Sequence, residues 1–548
     1  MAETSAPTAW GGAANQPKDP RRWLTLAAVN FALFMALLDV TVVNVALPSI
    51  AQDFKSSFSE LQWVIDTYAL VIAALILTMA KLGDLFGRKR LFLLGLFIFA
   101  SASLGCALSQ NVTQLQIARA VQGVGGAILS PIAAAIISAT FWGPELGTAF
   151  GIYGGVSGIA LIAGPIVGGL LVKYVSWQSV FLINVPIGII GIIAGAVVIK
   201  ESRNTRANRY VDILGVALSI ATLFSLTLAL IKGAEWGWTS GKTLGWLAAA
   251  AVLFVLFIVA EMVQARRGLD AMIDLSLFRV PTFSGVAVIT VIVSFSYAGL
   301  LFIMALLFQN VLGYDALGTG LRYIPFVIGS IVIAPLVGAN ANRLGARLIF
   351  GVGLALLGLG FLLLTRITPS SDWDALLPGL LIAGFGGAAV QAQLTNAAVS
   401  AAPRERAGIA TGISATMRQV GSSMGIALLG SIFTSRYTHN LPGALAARQV
   451  PKEFADRLVQ GTGGNVAFAG RVPPQAPPQF APAIQQATHS AFVSGFNDTI
   501  RVAAVFIAAS VVIALVFVRR ADSAHDTGAS ASRPREAARE AEVVAGAD

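Results

Sequence analysis

Long apolar runs separated by short polar breaks cover the chain from Trp23 to about Arg520. Runs of 18 or more apolar residues recur, and as helices each can cross a hydrocarbon layer about 30 Å thick. The pattern predicts about 14 spans. They begin near Trp23, Gln62, Leu91, Thr113, Gly147, Ser179, Asp212, Leu244, Phe283, Leu321, Arg347, Ala375, Gly408 and Phe496. Polar stretches frame them. Residues 1–22 and 519–548 read as disordered ends. Residues 435–495 read as a flexible Pro/Gln-rich loop joining the last two spans, with one short helix around Lys452–Gln460.

Composition sharpens the class. The chain is 56% hydrophobic and only 12% charged, with 56 glycines. It is expected to be an all-α polytopic membrane protein with the lipid bilayer as its solvent. The net charge of +10 does not imply a nucleic-acid partner, because no basic stretch is interleaved with aromatics and the positives sit in short loops. With 14 spans, the loops holding Arg88, Lys89 and Arg90, Lys200 to Arg209, Arg266 and Arg267, Arg343 and Arg347, and Arg404 and Arg406 all fall on one side. The positive-inside rule then makes both termini cytoplasmic, with the protein multi-pass in the cell's inner membrane.

An internal repeat divides the chain. AKLGDLFGRK, Ala80 to Lys89, aligns with GANANRLGAR, Gly338 to Arg347, at Gly87/Gly345 and Lys89/Arg347. The offset exceeds the roughly 200 residues that six spans and their loops need. The expected organisation is an N-terminal six-helix half over 23–200, two added spans over 212–264, and a C-terminal six-helix half over 283–518. Many secondary transporters place their site between two such halves.

The expensive residues sit in the first half. Asp39, in LDVTVVNVALP, Asp66 and Arg119 fall inside apolar runs, where a charge costs roughly 2.5–3.5 kcal/mol on insertion scales. Counted at about 1.5 Å per residue, they lie roughly 13, 8 and 9 Å below the outer surface. One shared level suggests one cluster. Burial and a neighbouring guanidinium push a carboxylate's proton affinity in opposite directions, which suits proton coupling; the competing reading is a static ion pair that fixes helix packing. Thr41 and Asn44 point within about 60° of each other and Asp39 nearly opposite, so this helix should be surrounded by protein or by a wet cavity. Gln62 and Gln122 lie one turn from Asp66 and Arg119.

Two motifs carry conformation rather than charge. In GDLFGRKR, Gly83, Asp84, Gly87, Arg88 and Lys89 follow the second span. Asp84 there sits at a helix C-terminus, where the macrodipole disfavours an anion, so it needs a guanidinium or another helix's N-terminus as partner. In GIYGGVSGIALIAGPIVGG, Gly151, Gly155, Gly158, Pro165 and Gly169 share one ridge, flanked by Gly164 and Gly168. Small residues at this spacing let backbones approach closely, and a general packing role competes with a functional one. TGISATMRQVGSSMG, Thr411 to Gly425, is a looser counterpart that buries Arg418. Asn44, Gln62, Gln122, Gln309, Asn310, Gln391, Asn396 and Arg418 are candidate cargo contacts.

Absences exclude other classes. No GxxxxGK[ST] occurs, so the chain encodes no ATP engine. His439, His489 and His525 fall outside the spans, no metal-ligand cluster exists, and Cys106 is the only cysteine. Neither an enzyme nor a cofactor is expected.

These residues resemble the major facilitator superfamily, in its 14-span drug:H⁺ antiporter branch. The resemblance rests on LDVTVVNVALP, GDLFGRK, Leu115–Ala127 with Arg119, Gln122 and Gly123, the glycine–proline motif ending GPIVGG, and WQSVFLINVPIG at Trp177–Gly188. It spans about Trp23 to Arg520. Ala80 and Gln178 depart from the family pattern. The resemblance implies two halves rocking in alternating access, a proton-linked acid at Asp39 and a motif arginine at Arg119. The expected activity is proton-driven export of lipophilic small molecules, drugs or antibiotics, by a monomer. With no acid in the middle of spans nine to fourteen, neutral or monocationic cargo is expected. The alternatives are an uptake symporter, a lipid or metabolite exporter on the same fold, and a receptor or scaffold using the long outer loop.

Overall fold

A computed structural model describes residues 19–56, 58–203, 212–267, 273–403, 406–456, 469–470 and 479–519. Most of both expected disordered ends, Arg404 and the middle of the 435–495 segment lie outside the described residues, as does the Gln62 side chain.

The chain is helical, with no strand among the described residues. The first eight rods are α1 (Arg22–Phe54), α2 (Phe58–Phe86), α3 (Arg88–Ala107), α4 (Val112–Thr140), α5 (Pro144–Tyr174), α6 (Ser179–Leu182 continued by Asn184–Val198), α7 (Ile213–Trp236) and α8 (Gly241–Arg266). Then come α9 (Pro281–Leu306, ending in a π-turn at Leu307–Val311) and α10 (Ala316–Arg322 and Ile324–Ala339). The last four are α11 (Ala346–Leu364), α12 (Leu377–Ser400), α13 (Ala407–Met424, a π-turn at Gly425–Leu429, then Gly430–Ala446) and α14 (Ala481–Phe517).

Twelve of these are long and apolar enough to cross a membrane. The other two are α10, whose main segment Ile324–Ala339 is apolar but short, and α13, which carries Arg418 and a run of hydroxyl residues.

Packing follows the repeat. In the first half α3 lies on α4, α2 on α4, α1 on α5 and α1 on α6; in the second, α11 lies on α12, α10 on α12, α9 on α13 and α9 on α14. The aligned glycines do the same job in each half: Gly87 (φ +109°) turns α2 into α3, and Gly345 (φ +75°) makes the matching turn before α11. Both dihedrals lie where only glycine is unstrained. The added helices α7 and α8 pair with each other, and α7 packs against both α2 and α13. The halves meet along α5 and α10 and along α2 and α13.

One expectation is corrected. The segment 435–495 is not simply a flexible connection, because α13 runs on to Ala446 and α14 already begins at Ala481. Phe433, Tyr437, Leu441 and Leu445 recur every four residues and bury one stripe against Ile484, Ala491, Phe492 and Phe496. That spacing is an amphipathic helix signal, masked in the sequence by the Pro-rich stretch beside it. Residues 452–456 of the expected short helix are helical, and the remainder lies outside the described residues.

Candidate functional site

Asp39 is fully enclosed, at 0% exposure, inside the first half. Its Oδ2 accepts from Arg119 Nη1 at 2.5 Å. Its Oδ1 accepts from Gln122 Nε2 at 2.9 Å and from Asn184 Nδ2 at 3.0 Å. Four helices therefore contribute, because Ser103 of α3 closes the set: its Oγ accepts from both amides, at 3.2 and 3.0 Å, and donates to Phe181 O at 2.9 Å.

Arg119 is equally enclosed, at 1% exposure. It gives Nη1 to Gln122 Oε1 (2.7 Å) and Nε to Val64 O (3.2 Å), and its guanidinium lies 4.0 Å from the Tyr68 ring. The glycines of the Leu115–Ala127 motif allow this closeness. A Cβ at Gly123 would meet Tyr68 O at 3.0 Å, and one at Gly125 would meet Phe99 N at 2.7 Å. Trp177 anchors the other side by donating Nε1 to Asp53 Oδ2 at 2.8 Å, so the WQSVFLINVPIG stretch delivers Phe181 and Asn184 to the cage.

Asp66 does not join this cluster. Val64 and Tyr68 share the face of α2 turned to Arg119, and Asp66 between them points about 160° away from it. It meets Lys232 of α7 instead: Lys232 Nζ stands 3.5 Å from Asp66 Oδ2, 2.9 Å from Glu235 Oε2 and 4.5 Å from the Trp63 ring centroid. Lys232 is only 2% exposed. Sequence reasoning missed Lys232, Ser103 and Asn184. A lysine at a span's end reads as an interfacial anchor, and neutral polar residues are common in spans.

The second conformational element is the Asp84–Arg88 pair. Both side chains are buried, and Arg88 donates Nε and Nη2 to Asp84 Oδ1 at 3.0 and 2.8 Å and Nη1 to Ala135 O at 3.2 Å. A Cβ at Gly408 would fall 2.0 Å from Asp84 Oδ2. The carboxylate thus also packs against the first turn of α13 in the opposite half, while Arg88 supplies the guanidinium expected as its partner. Gly83 is packed on Ile132, and Gly412 faces Ala80. Backbone N–H groups of Lys89 and Arg90 are held by Glu201 at 3.0 and 3.2 Å.

The α5 ridge meets α10 through backbone. A Cβ at Gly151 would lie 2.6 Å from Ala334 O, at Gly155 2.7 Å from Ser330 O, and at Gly158 2.5 Å from Ser330 Oγ. Pro165 faces Gly320, and Gly169 faces Leu317 at 3.8 Å. Gly164 and Gly168 form a second contact, against Thr41 and Val42 of α1.

The candidate cargo residues scatter. Asn44 is exposed and bonds its own helix at Val40 O, and Gln309 is exposed. Asn310 donates to Ala469 O at 2.9 Å and so ties down the connection between α13 and α14. Asn396 bonds Gln393 at 3.1 Å. Arg418 and Gln391 do reach the seam between the halves.

The chain matches the Major Facilitator Superfamily over residues 29–426. It belongs to that family. Facilitator-family proteins are transporters rather than enzymes and typically use no cofactor. The chain is similar to the tetracenomycin C resistance and export protein of Streptomyces glaucescens, 34% identical with 92% of each chain covered. It is 36% identical to the multidrug resistance protein Stp of Mycobacterium tuberculosis, covering 82% of this chain and 84% of Stp. Among solved structures, the human organic anion transporter MFSD10 (TETRAN) shares the fold alone, with a TM-score of 0.59 at 13% identity, covering 91% of this chain and 100% of that one.

Proposed function

We propose that the protein exports lipophilic small molecules of the drug or antibiotic kind by exchange for protons, as a monomer in the inner membrane. All fourteen rods then cross, the Arg88 end faces the cytoplasm, and the halves span 23–200 and 283–518 with 212–264 added between them. The single observation carrying the coupling role is Asp39, an acid sealed among Arg119, Gln122 and Asn184. The relatives named for tetracenomycin C export and multidrug resistance support the direction and the cargo class.

A proton on Asp39 removes the charge that holds Arg119, and so loosens α1 from α4. Helix α1 is locked to α5 at Gly164 and Gly168, and α5 rests on α10. A change at one carboxylate thus has a packed route to the contact between the halves. Asp66 is the second coupling acid in this reading, with Lys232 as its counter-charge. The Asp84–Arg88–Gly408 contact closes the cytoplasmic end when the halves meet there.

The test is transport by the purified protein in liposomes under an imposed pH gradient, using fluorescent lipophilic probes of different charge. Gradient-driven movement that Asp39→Asn abolishes while probe binding persists supports the reading. Movement unchanged by the substitution removes Asp39 from coupling. Accumulation with the proton, rather than against it, establishes a symporter instead.

A further inference from the structure

Arg418 stands in the seam between the halves. Its Nη2 donates to Thr395 Oγ1 of α12 at 2.9 Å. The hydroxyl of Tyr153, on α5 of the other half, is an electrostatic neighbour of the same guanidinium, with Ser130 of α4 beside it. One guanidinium therefore bonds its own half and faces the other. Its position on α13 follows from the glycines around it: Gly408 and Gly412 press that helix to α2, and Gly421 and Gly425 press it to α9, against Val291 O and Phe295 O.

Its charge is not balanced. Arg88, Arg119 and Lys232 are each paired with a carboxylate. Arg418 forms no ion pair among the described residues, and its Nε is buried without a partner. Gln391, one turn from Thr395 on α12, likewise has a buried Oε1 without a partner. Carboxylates on elements packed against α13 are engaged elsewhere: Asp84 with Arg88, Asp66 and Glu235 with Lys232, and Asp498 of α14 with Arg501. A guanidinium at membrane depth with spare donors is costly, and a bidentate oxyanion is the group its planar fork fits best.

We propose that Arg418 is the docking point for an acidic group on the cargo, a carboxylate or an ionised phenol, with Tyr153, Thr395 and Gln391 as neutral neighbours. This rests on the export reading above and departs from the sequence-based expectation of neutral or monocationic cargo. It has an electrical consequence: one monoanion leaving for one proton entering moves two positive charges inward, so both the pH gradient and an inside-negative potential drive export.

The experiment uses the full-length protein and three probes that share a pyrene body: pyrenebutyrate, its methyl ester and a pyrenebutyl-trimethylammonium. Binding is read by fluorescence anisotropy without a gradient, and movement in liposomes with one. The carboxylate is expected to bind at least tenfold tighter than the ester, Arg418→Gln to remove that preference while leaving ester binding within twofold, and Arg418→Lys to keep part of it. Equal binding of the three probes by the native chain overturns the proposal, with no variant needed. So does a uniform loss in Arg418→Gln at an unchanged melting temperature. Gradient-driven export of the ester or the ammonium in preference to the carboxylate overturns it while sparing the export reading. Carboxylate binding through Arg418 with no gradient-driven movement sustains the site and overturns export.

Discussion

The carboxylate of Asp84 occupies the space that a side chain on Gly408 would need: a Cβ there would sit 2.0 Å from Oδ2. One residue closes the second span of one half, and the other opens the thirteenth rod of the opposite half. The contact exists only while the two halves meet at the Arg88 end.

Gly408→Ala should therefore open that end. In a background with Cys106 replaced, a cysteine at Thr411, itself 1% exposed, should react slowly with a maleimide in the parent and several times faster once Gly408→Ala is added. Equal labelling rates would show that the contact is not a closure.

Asp39→Asn leaves Arg119 buried without its charge partner, a loss of about 3–5 kcal/mol for a broken buried pair. Its amide also turns N–H groups toward donors, either Arg119 on one side or Gln122 and Asn184 on the other. Adding Arg119→Met should restore most of the thermal stability but none of the proton-driven transport. Transport returning with stability would make the pair a packing device.

The Asp66–Lys232 pair allows the same separation. Lys232→Met alone should lower the melting temperature, and Asp66→Asn with Lys232→Met should recover it. With Asp66 in coupling, the double variant stays slow in a pH-gradient assay. Full-rate transport by that variant would confine both residues to holding α7 on α2.

The α5 glycines can be graded. Gly155→Ala drives a methyl to 2.7 Å from Ser330 O, backbone that cannot step aside, whereas Gly169→Ala meets Leu317 at an ordinary 3.8 Å. Overpacking typically costs about 1–3 kcal/mol. Transport should fall at least several-fold for the first and stay near native for the second; equal rates would remove the ridge from the transport cycle.

Much of the site was legible because charge in apolar sequence is expensive. Asp39 and Arg119 stand out on that ground alone, and Gln122 follows from its spacing to Arg119. Relative level along the bundle was legible too, but facing was not. Asp66 shares a level with Arg119 and still points to α7, since two positions along α2 reverse a side chain's direction. Lys232 escaped notice because an amine at a span's end resembles an interfacial anchor. Asn184 and Ser103 were silent because a neutral amide or hydroxyl in a span usually finds a nearby backbone partner, and so marks no site by itself. The helices beyond the expected end of α13 were hidden by prolines nearby, although Phe433, Tyr437, Leu441 and Leu445 carried the right period.

The seam between α5 and α10 has one more implication. Interlocking side chains would form teeth, and rocking would lift each tooth over its neighbour at the expense of dispersion contacts. Here Gly147, Gly151 and Gly155 offer bare backbone to Gly338, Ala334 and Ser330, so the surface works as a plain bearing. In the proposed transport cycle that smoothness would keep friction low as the two halves swing past each other.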